Sequence, residues 1–256
     1  MYYVHPNAKI GKNVTIEPFA VIYDDVEIGD DCWIGPHVTI FPGARIGKKC
    51  KIFPGASRAA IPQYLKFEGE YTTAEIGDNN IIREFVTINR GTNASKRTVI
   101  GNNNLIMAYA HVAHDCIVGD NCILANSATL AGHVEVDDYA IIGGQSAIHQ
   151  FCRIGKHVIL MGGSLVDKDI PPYVKGGKFP VSYCGINSVG LSRRGYSTET
   201  INNIQNIYRV VFQKGLTYTN ALAEIKQLPQ TKEGDEIISF MEKAERGLMK
   251  GFTSVR

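Results

Sequence analysis

An aliphatic residue recurs at every sixth position of this chain, and that period constrains the fold more than any other feature of the sequence. Isoleucine keeps the spacing without a miss from Ile10 to Ile52, and aliphatic residues keep the same phase from Ile100 to Val166. The fifth position of these hexads is almost always small, as at Ala20 and Cys32. Neither the period of an α-helix nor that of an ordinary strand produces this pattern. The hexads therefore predict a parallel β-helix.

Three consecutive hexads are expected to close one triangular coil, so that residues eighteen apart in the sequence stack on each other. Neighbouring coils then lie about 4.8 Å apart, which is the spacing of adjacent strands. The core becomes a prism of stacked aliphatic side chains, each of which contributes roughly 1.5–3 kcal/mol by its burial. Losing several layers of this stack is expected to prevent folding.

The repeat divides the chain into two parts. Hexads predict the β-helix over 1–172, with loops that leave it near 58–75 and 94–99. Residues 173–256 are predicted to form a C-terminal helical domain, with one helix over 198–214 after the capping candidates Ser197 and Thr198. Two shorter apolar stripes predict further helices, at Ala221, Leu222, Ile225 and Leu228 and at Ile237, Met241, Ala244 and Leu248. One role expected of these helices is to cover the open sheet edge at the end of the coils.

Composition indicates a soluble protein with a formal net charge of +2 over 256 residues. No apolar run is long enough to insert in a membrane, and the first residues lack the features of a signal peptide, so we expect a cytoplasmic location. Five of the six cysteines occupy the small fifth position of a hexad. They are predicted to be buried small hydrophobes and neither disulfide partners nor metal ligands. Cys184 lies outside the repeat and has no evident role.

Histidines cluster on one predicted edge of the prism. Stacking of equivalent positions puts His114, Gly132 and Gln150 in one column, and His111, His133 and His149 lie beside it. A lone histidine at such a corner is usually a polar turn residue, but four on one edge favour chemistry. Imidazoles are suited to taking a proton from a hydroxyl group. Asp115 could orient His114, and the Gly132 N–H could hold an oxyanion during acyl transfer.

A zinc site is the rival interpretation of these histidines, because some hexapeptide-repeat proteins are carbonic anhydrases with three histidine ligands. The neighbouring Gly132 and Gln150 do not favour it, and we predict neither a metal nor a cofactor. Lysine and arginine are frequent between Arg153 and Arg194. This charge would attract phosphates or an acidic carrier protein, and the pair Arg193 and Arg194 fits a diphosphate. Nucleic acid is not expected as a partner, since no basic stripe with interleaved aromatics occurs.

Several segments together resemble one family closely. They are AHVAHDC at 110–116, ILANSATLAGHVEVDDYAIIGG at 123–144, AIHQFCRIG at 147–155, DIPPYV at 169–174 and GLSRRGYS at 190–197. In this combination they are similar to the UDP-N-acetylglucosamine O-acyltransferases of lipid A biosynthesis. The resemblance covers nearly the whole chain, and its motifs are far more specific than the hexads alone.

The resemblance implies a mainly β fold, in which a left-handed parallel β-helix of hexapeptide repeats precedes a C-terminal α-helical domain. It implies a homotrimer with active sites in the clefts between subunits, and transfer of a 3-hydroxyacyl chain from acyl carrier protein to the 3-hydroxyl of UDP-N-acetylglucosamine without a cofactor. His114 would be the general base, with Asp115 as its partner and the Gly132 N–H as the oxyanion donor. The substrates would be bound by Gln63, Lys66, His111, His133, His149, Gln150, Asn187, Arg193 and Arg194.

The acyl chain would lie along the coils C-terminal to the base. Gly162 falls where relatives that prefer short chains carry a bulky methionine, so the resemblance implies a groove that is open to a long chain, with Met161 beside it. Two positions depart from the family pattern. Tyr64 stands where an aspartate often follows the glutamine, and Val189 stands where an acid often occurs. Both changes concern recognition of the sugar nucleotide and leave an amino-sugar acceptor open.

Two alternatives of other kinds remain at this point. The N-acyltransferase of the same pathway shares the fold and the donor, but it usually carries an additional N-terminal domain, whereas these hexads begin close to Met1. A β-helix scaffold without catalytic activity would need no histidine column.

Overall fold

The structure is a computed structural model that describes residues 1–251, and short strands dominate it as far as Ile186. Most strands have two residues, because each hexad turns a corner after its flat segment. The strands are β1 Tyr3–Val4, β2 Lys9–Ile10, β3 Thr15–Ile16, β4 Val21–Ile22, β5 Glu27–Ile28, β6 Trp33–Ile34, β7 Thr39–Ile40, β8 Ala44–Ile46, β9 Lys51–Ile52, β10 Ser57–Ala60, β11 Thr73–Ile76, β12 Ile81–Ile82, β13 Thr87–Asn89, β14 Arg97–Ile100, β15 Leu105–Ile106, β16 His111–Val112, β17 Ile117–Val118, β18 Ile123–Leu124, β19 Thr129–Leu130, β20 Glu135–Val136, β21 Ile141–Ile142, β22 Ala147–Ile148, β23 Arg153–Ile154, β24 Ile159–Leu160, β25 Leu165–Val166, β26 Val174–Gly177 and β27 Ser182–Ile186.

These strands form three sheets, which are the three sides of a prism. Sheet A is ordered β1-β4-β7-β10-β13-β16-β19-β22-β25, and sheet B is ordered β2-β5-β8-β11-β14-β17-β20-β23. Sheet C is ordered β3-β6-β9-β12-β15-β18-β21-β24-β26-β27, and every third strand therefore returns to the same side. All pairings are parallel except that of β26 with β27, which is antiparallel. The parallel β-helix of the predicted fold class is confirmed.

The first-position aliphatics point into the prism and stack in register. Val112 pairs with Leu130 and Leu130 with Ile148, as the eighteen-residue coil predicts. From Ala20 onward the small fifth-position residues are buried with them in one core that continues into the C-terminal helices. All six cysteines are free thiols, and the five at the fifth position are buried, as predicted.

Three corners join the three sheets. The histidine corner, between sheets A and B, contains 113–116, 131–134 and 149–152. The aspartate corner, between sheets B and C, contains 101–104, 119–122, 137–140 and 155–158. The third corner, between sheets C and A, contains 125–128, 143–146 and 161–164. The fourth residue of most hexads has a positive φ, for example 60° at Asp115 and 57° at His157, because the chain needs a left-handed residue to turn within one hexad.

Two loops leave the coils, and both emerge at the level of the histidine corner. The first spans 61–72 between β10 and β11, and the second spans 90–96 between β13 and β14. Each lies between a strand of sheet A and a strand of sheet B. The second lies one coil before 113–116 in the stack, and the first lies two coils before it. The first is shorter than the predicted 58–75 because β10 and β11 remain paired in the sheets, and the second begins earlier than the predicted 94–99.

As far as residue 251, the C-terminal part contains four helices, α1 Ser188–Arg193, α2 Thr198–Gln213, α3 Tyr218–Ile225 and α4 Lys232–Glu242. Helix α2 matches the predicted 198–214, and Ser197 caps it by accepting from the Thr200 N–H. Strands continue past the predicted division at 172/173, since β26 adds to sheet C. Residues 252–256 of the predicted domain lie outside the described part of the chain. No helix of the described residues is both long and apolar enough to cross a bilayer.

Candidate active site

His114 and Asp115 form a hydrogen-bonded pair at the histidine corner. His114 Nδ1 lies 2.8 Å from Asp115 Oδ2, and the side chain of Asp115 is fully buried. Asp115 can face its neighbour because its φ of 60° turns the chain at this point. The predicted pairing of base and orienting carboxylate is therefore present in the structure.

The second loop supplies the remaining partners of Asp115. Thr92 donates to the carboxylate through its N–H at 2.9 Å and its hydroxyl at 2.6 Å, and Ser95 donates through its hydroxyl at 2.5 Å. Burial raises the pKa of Asp115, but the hydrogen bonds from Ser95, Thr92 and His114 outweigh it and lower the pKa to about 2. Asp115 is therefore a carboxylate at neutral pH, and it fixes the proton of His114 on Nδ1. The lone pair of the imidazole is then on Nε2.

Gly132 is the surface on which the His114 ring lies. A Cβ atom added to Gly132 would lie 2.5 Å from His114 Cε1 and 2.8 Å from Nε2, so only glycine leaves room for the ring. Among the described residues, no backbone or side-chain oxygen accepts a hydrogen bond from the Gly132 N–H. A free N–H beside the basic nitrogen suits an oxyanion that forms during acyl transfer.

The other histidines surround this pair. His133 Nε2 is 3.6 Å from Asp115 Oδ2, and its ring meets that of His114 edge-on with centroids 5.3 Å apart. His111 Nδ1 contacts the hydroxyl of Thr87 at 2.7 Å. Burial lowers the pKa of both His111 and His133. Both side chains are therefore suited to act as neutral hydrogen-bonding groups at physiological pH.

His149 and Gln150 complete the column at its C-terminal side. Both are exposed, and His149 Nδ1 is 3.1 Å from the carbonyl oxygen of Gln150. Phe151 follows them and stacks on His133 with ring centroids 4.6 Å apart. The structure thus brings together every histidine that was predicted for this edge.

The first loop lies beside His114. Gln63 and Lys66 are exposed on it, and the Tyr64 ring lies 5.2 Å from the ring of His114. Sequence reasoning missed the roles of Thr92, Ser95 and Phe151. Ser95 could have been found, because the predicted break at 94–99 lies one coil before Asp115 at the same corner, whereas Thr92 lies outside that predicted break.

An apolar cleft of about 480 Å³ begins at His149 and runs along the outside of sheet A. Its walls include Ala147 and Leu165 from the sheet and Phe179 and Pro180 from the turn between β26 and β27. The predicted groove residues do not line it. Gly162 lies at the third corner against Gly144, and Met161 packs on Gly177, where an added Cβ would be 2.3 Å from its sulfur.

The predicted nucleotide-binding residues lie at the aspartate corner. Arg194 is exposed and stands over the Tyr139 ring at 5.1 Å, and Arg193 is exposed in the last turn of α1. Asn187 is 3% exposed. Its amide accepts from the Gly190 N–H at 3.1 Å and donates to the His157 carbonyl at 2.9 Å, which caps α1. Each of these bonds uses one of the two donors or lone pairs that the amide offers.

His114, Asp115 and His133 also place three potential metal-ligand atoms within 4.8 Å of one another. The geometry within this group is that of a hydrogen-bonded pair, since Asp115 Oδ2 already accepts from His114 Nδ1. Thr92 and Ser95 occupy further lone pairs of the same carboxylate. These bonds favour acid–base chemistry over the zinc alternative.

Comparisons with known proteins agree with this geometry. The family described as Udp N-acetylglucosamine O-acyltransferase, Domain 2, matches residues 169–249, and the bacterial transferase hexapeptide repeat matches 7–42 and 97–132.

The acyl-(acyl-carrier-protein)–UDP-N-acetylglucosamine O-acyltransferase of Thiobacillus denitrificans is 43% identical over 96% of this chain and 96% of its own length. The enzyme of that name from Myxococcus xanthus is 46% identical over 78% of each chain. The crystal structure of the UDP-N-acetylglucosamine acyltransferase from Bacteroides fragilis is 51% identical, with a TM-score of 0.96, over 97% of this chain and 98% of that one. The chain therefore belongs to the family of acyl-(acyl-carrier-protein)–UDP-N-acetylglucosamine O-acyltransferases.

Proposed function

We propose that this protein transfers a long 3-hydroxyacyl chain from acyl carrier protein to the 3-hydroxyl of UDP-N-acetylglucosamine, as the first step of lipid A biosynthesis. The observation that carries this function is the His114–Asp115 pair beside the free Gly132 N–H. The family relatives named above are enzymes for this acceptor and donor. The same relatives favour O-acylation over the N-acyltransferase, the amino-sugar acceptor and the non-catalytic scaffold.

The proposed reaction uses each side chain of the pair differently. His114 Nε2 takes the proton from the sugar 3-hydroxyl while the oxygen attacks the thioester carbonyl. The negative charge that develops on the carbonyl oxygen is held by the Gly132 N–H. The tetrahedral intermediate then collapses, the C–S bond breaks, and the imidazolium returns its proton to the departing sulfur. Asp115 stays ionised throughout and stabilises the imidazolium, because its pKa is lowered to about 2.

The remaining substrate contacts are part of the same proposal. Gln63 and Lys66 extend from the first loop beside the base, and His111, His133, His149 and Gln150 surround it. The apolar cleft that starts at His149 is the kind of surface that an acyl chain prefers. Gly162 and Met161 lie at another corner, so they could limit chain length only if the chain passes between two copies of the protein.

The distribution of these residues over the prism supports a homotrimer. The base lies at the histidine corner, Asn187 and Arg194 at the aspartate corner, and Gly162 at the third corner. One substrate cannot touch three corners of a single coil, but neighbouring copies could present different corners to one cleft. We therefore propose a homotrimer in the cytoplasm, where the carrier protein and the nucleotide sugar are available.

The test is a transfer assay with purified protein, acyl carrier protein charged with 3-hydroxyacyl chains, and UDP-N-acetylglucosamine. The expected product is the 3-O-acylated sugar nucleotide, identified by mass spectrometry. Light scattering on the same preparation should give three times the 28.1 kDa mass of one chain. An inactive preparation of correctly folded protein would contradict the function, and an active monomer would contradict the shared cleft.

A further inference from the structure

Tyr64 lies on the first loop beside His114, at a position where the family often carries an aspartate. Its ring centroid lies 5.2 Å from that of His114 at an angle of 39°, and 42% of the residue is exposed. The series of ring contacts continues from His114 to His133 and from His133 to Phe151. A partly exposed aromatic ring therefore lies beside the imidazole of the proposed base.

The loop that carries Tyr64 is held at both ends and in its middle. At its start, the Asn89 amide donates to the carbonyl oxygens of Ala60 and Ile61. In the middle, Arg90 lies over the Phe67 ring at 5.4 Å and donates to the Pro42 carbonyl.

At the end of the loop, Arg45 binds the hydroxyl of Tyr71 at 2.8 Å. A turn in which the Phe67 N–H donates to the Tyr64 carbonyl at 3.0 Å fixes the residue itself. These anchors place the Tyr64 ring against His114 before any substrate arrives.

We propose that the Tyr64 ring binds the acceptor sugar by stacking on its C–H face, and so holds the reacting hydroxyl at His114 Nε2. This inference rests on the proposed function. A tyrosine presents a flat apolar face with negative charge density at its centre, which complements the weakly positive C–H hydrogens of a pyranose. A carboxylate at this position could only form hydrogen bonds with the sugar hydroxyls. The chain thus recognises its acceptor at Tyr64 by the shape and polarity of the ring.

Stacking of this kind acts on the acceptor and leaves the acyl donor unaffected. Replacing the ring in Tyr64→Ala should raise the KM for UDP-N-acetylglucosamine about tenfold, which corresponds to the upper range of aromatic pair energies. The KM for the acyl carrier protein donor should stay unchanged. Tyr64→Phe keeps the ring and loses the hydroxyl, so it should restore the wild-type KM for the acceptor. If the phenol hydroxyl were the binding group, Tyr64→Phe would behave like Tyr64→Ala, and the stacking proposal would be wrong.

Leu65→Ala is the matched control, because Leu65 is fully exposed on the same loop and lies next to Tyr64. Its kinetic constants should equal those of the wild type. Calorimetric titration of UDP-N-acetylglucosamine into the same variants measures acceptor binding without turnover. If the wild type binds this sugar nucleotide but transfers no acyl group, the proposed function fails and the affinities of the variants still decide on Tyr64. Equal acceptor affinity in the wild type and Tyr64→Ala would overturn the inference even if transfer is normal.

Discussion

The histidine corner and the aspartate corner are built from the same hexad backbone, but they differ in whether the N–H group of the third residue has a hydrogen-bond acceptor. At the aspartate corner, the third residue of two successive hexads donates its N–H to a side chain one coil further on. The Asn102 N–H binds Asp120 at 2.6 Å, and the Asp120 N–H binds Asp138 at 2.7 Å. At the histidine corner, Gly132 has Gln150 in the equivalent place, and among the described residues its N–H has no acceptor. The same position of the hexad is therefore paired at Asn102 and Asp120 and free at Gly132, where we propose that a substrate oxygen accepts from it.

The two corners also treat their imidazoles differently. His157 lies between the rings of Tyr139 and Tyr173, with centroids 4.8 and 5.7 Å away, and its Nε2 is 3.1 Å from the hydroxyl of Tyr196. Burial, with Arg194 and Lys156, lowers the pKa of His157 to about 4, so its ring stays neutral. His114 instead contacts the ionised Asp115 through Nδ1, and 13% of its side chain is exposed. Both histidines lie on the same repeat, so the repeat alone does not make an imidazole reactive. The difference comes from the carboxylate partner of His114 and from the loops around it.

The largest effect is expected from removing the proposed base. His114→Ala should fold normally and lose roughly 10²–10⁴-fold of kcat, the range typical of general-base catalysis. His157→Gln at the other corner should lose much less. The measurement is the initial rate of acyl transfer per folded protein, with folding checked by the unfolding midpoint. Near-normal turnover in His114→Ala would end its assignment as the base.

Gly132→Ala should displace the His114 ring without removing any polar group of the histidine corner. The new methyl group would lie 2.5 Å from His114 Cε1, so the ring must move off the productive position. A displacement of about 1 Å can cost about 10²-fold in rate. Asn126→Ala, at the equivalent position of the third corner, is the control and should keep its activity. If kcat survives in Gly132→Ala, the close fit of ring and glycine is irrelevant to catalysis.

His157 makes the stability of the aspartate corner sensitive to acid. The unfolded chain binds the proton near the ordinary pKa of 6.5, whereas the folded protein does so only near 4. Stability is therefore lost as the pH falls from about 6.5 to 4, by up to about 3 kcal/mol from this residue. In His157→Gln, the urea concentration at the unfolding midpoint should change less between pH 7 and 4.5 than it does in the wild type. Asp115 acts in a different pH window. Because its pKa is lowered to about 2, its contribution to stability is lost only as the pH falls from about 4 to 2.

The smallest effect concerns the third corner. Gly162→Met should shift the preference among acyl donors towards shorter chains, because each buried methylene that no longer fits costs roughly 0.8 kcal/mol, or about fourfold. The measurement is a competition between donors of different length. Leu165→Phe, which narrows the cleft on sheet A, is the comparison. If only Leu165→Phe shifts the preference, the chain lies along sheet A and Gly162 does not limit its length.

Much of the fold could be predicted because a six-residue period admits few structures. The aliphatic phase predicted the stacking of Val112, Leu130 and Ile148, and hence the column of His114, Gly132 and Gln150. The helix at 198–214 followed from its apolar stripe and its serine cap. The short helix α1 was missed, because its cap Asn187 is held by the carbonyl of a residue thirty positions earlier. The catalytic and binding roles of these residues stay predictions until the assays are made.

The sequence by itself determined the prism, the edge that carries the histidines and the family to which the chain belongs. Only the tertiary structure decided that Thr92 and Ser95 reach Asp115, that Tyr64 stands over His114, and that Arg194 lies at a different corner from the base. The physical reason is that the repeat dictates contacts between residues eighteen positions apart, whereas loops outside the repeat are positioned by individual anchors such as Asn89 and Arg90. Periodicity carries the first kind of information, and only packing in three dimensions carries the second.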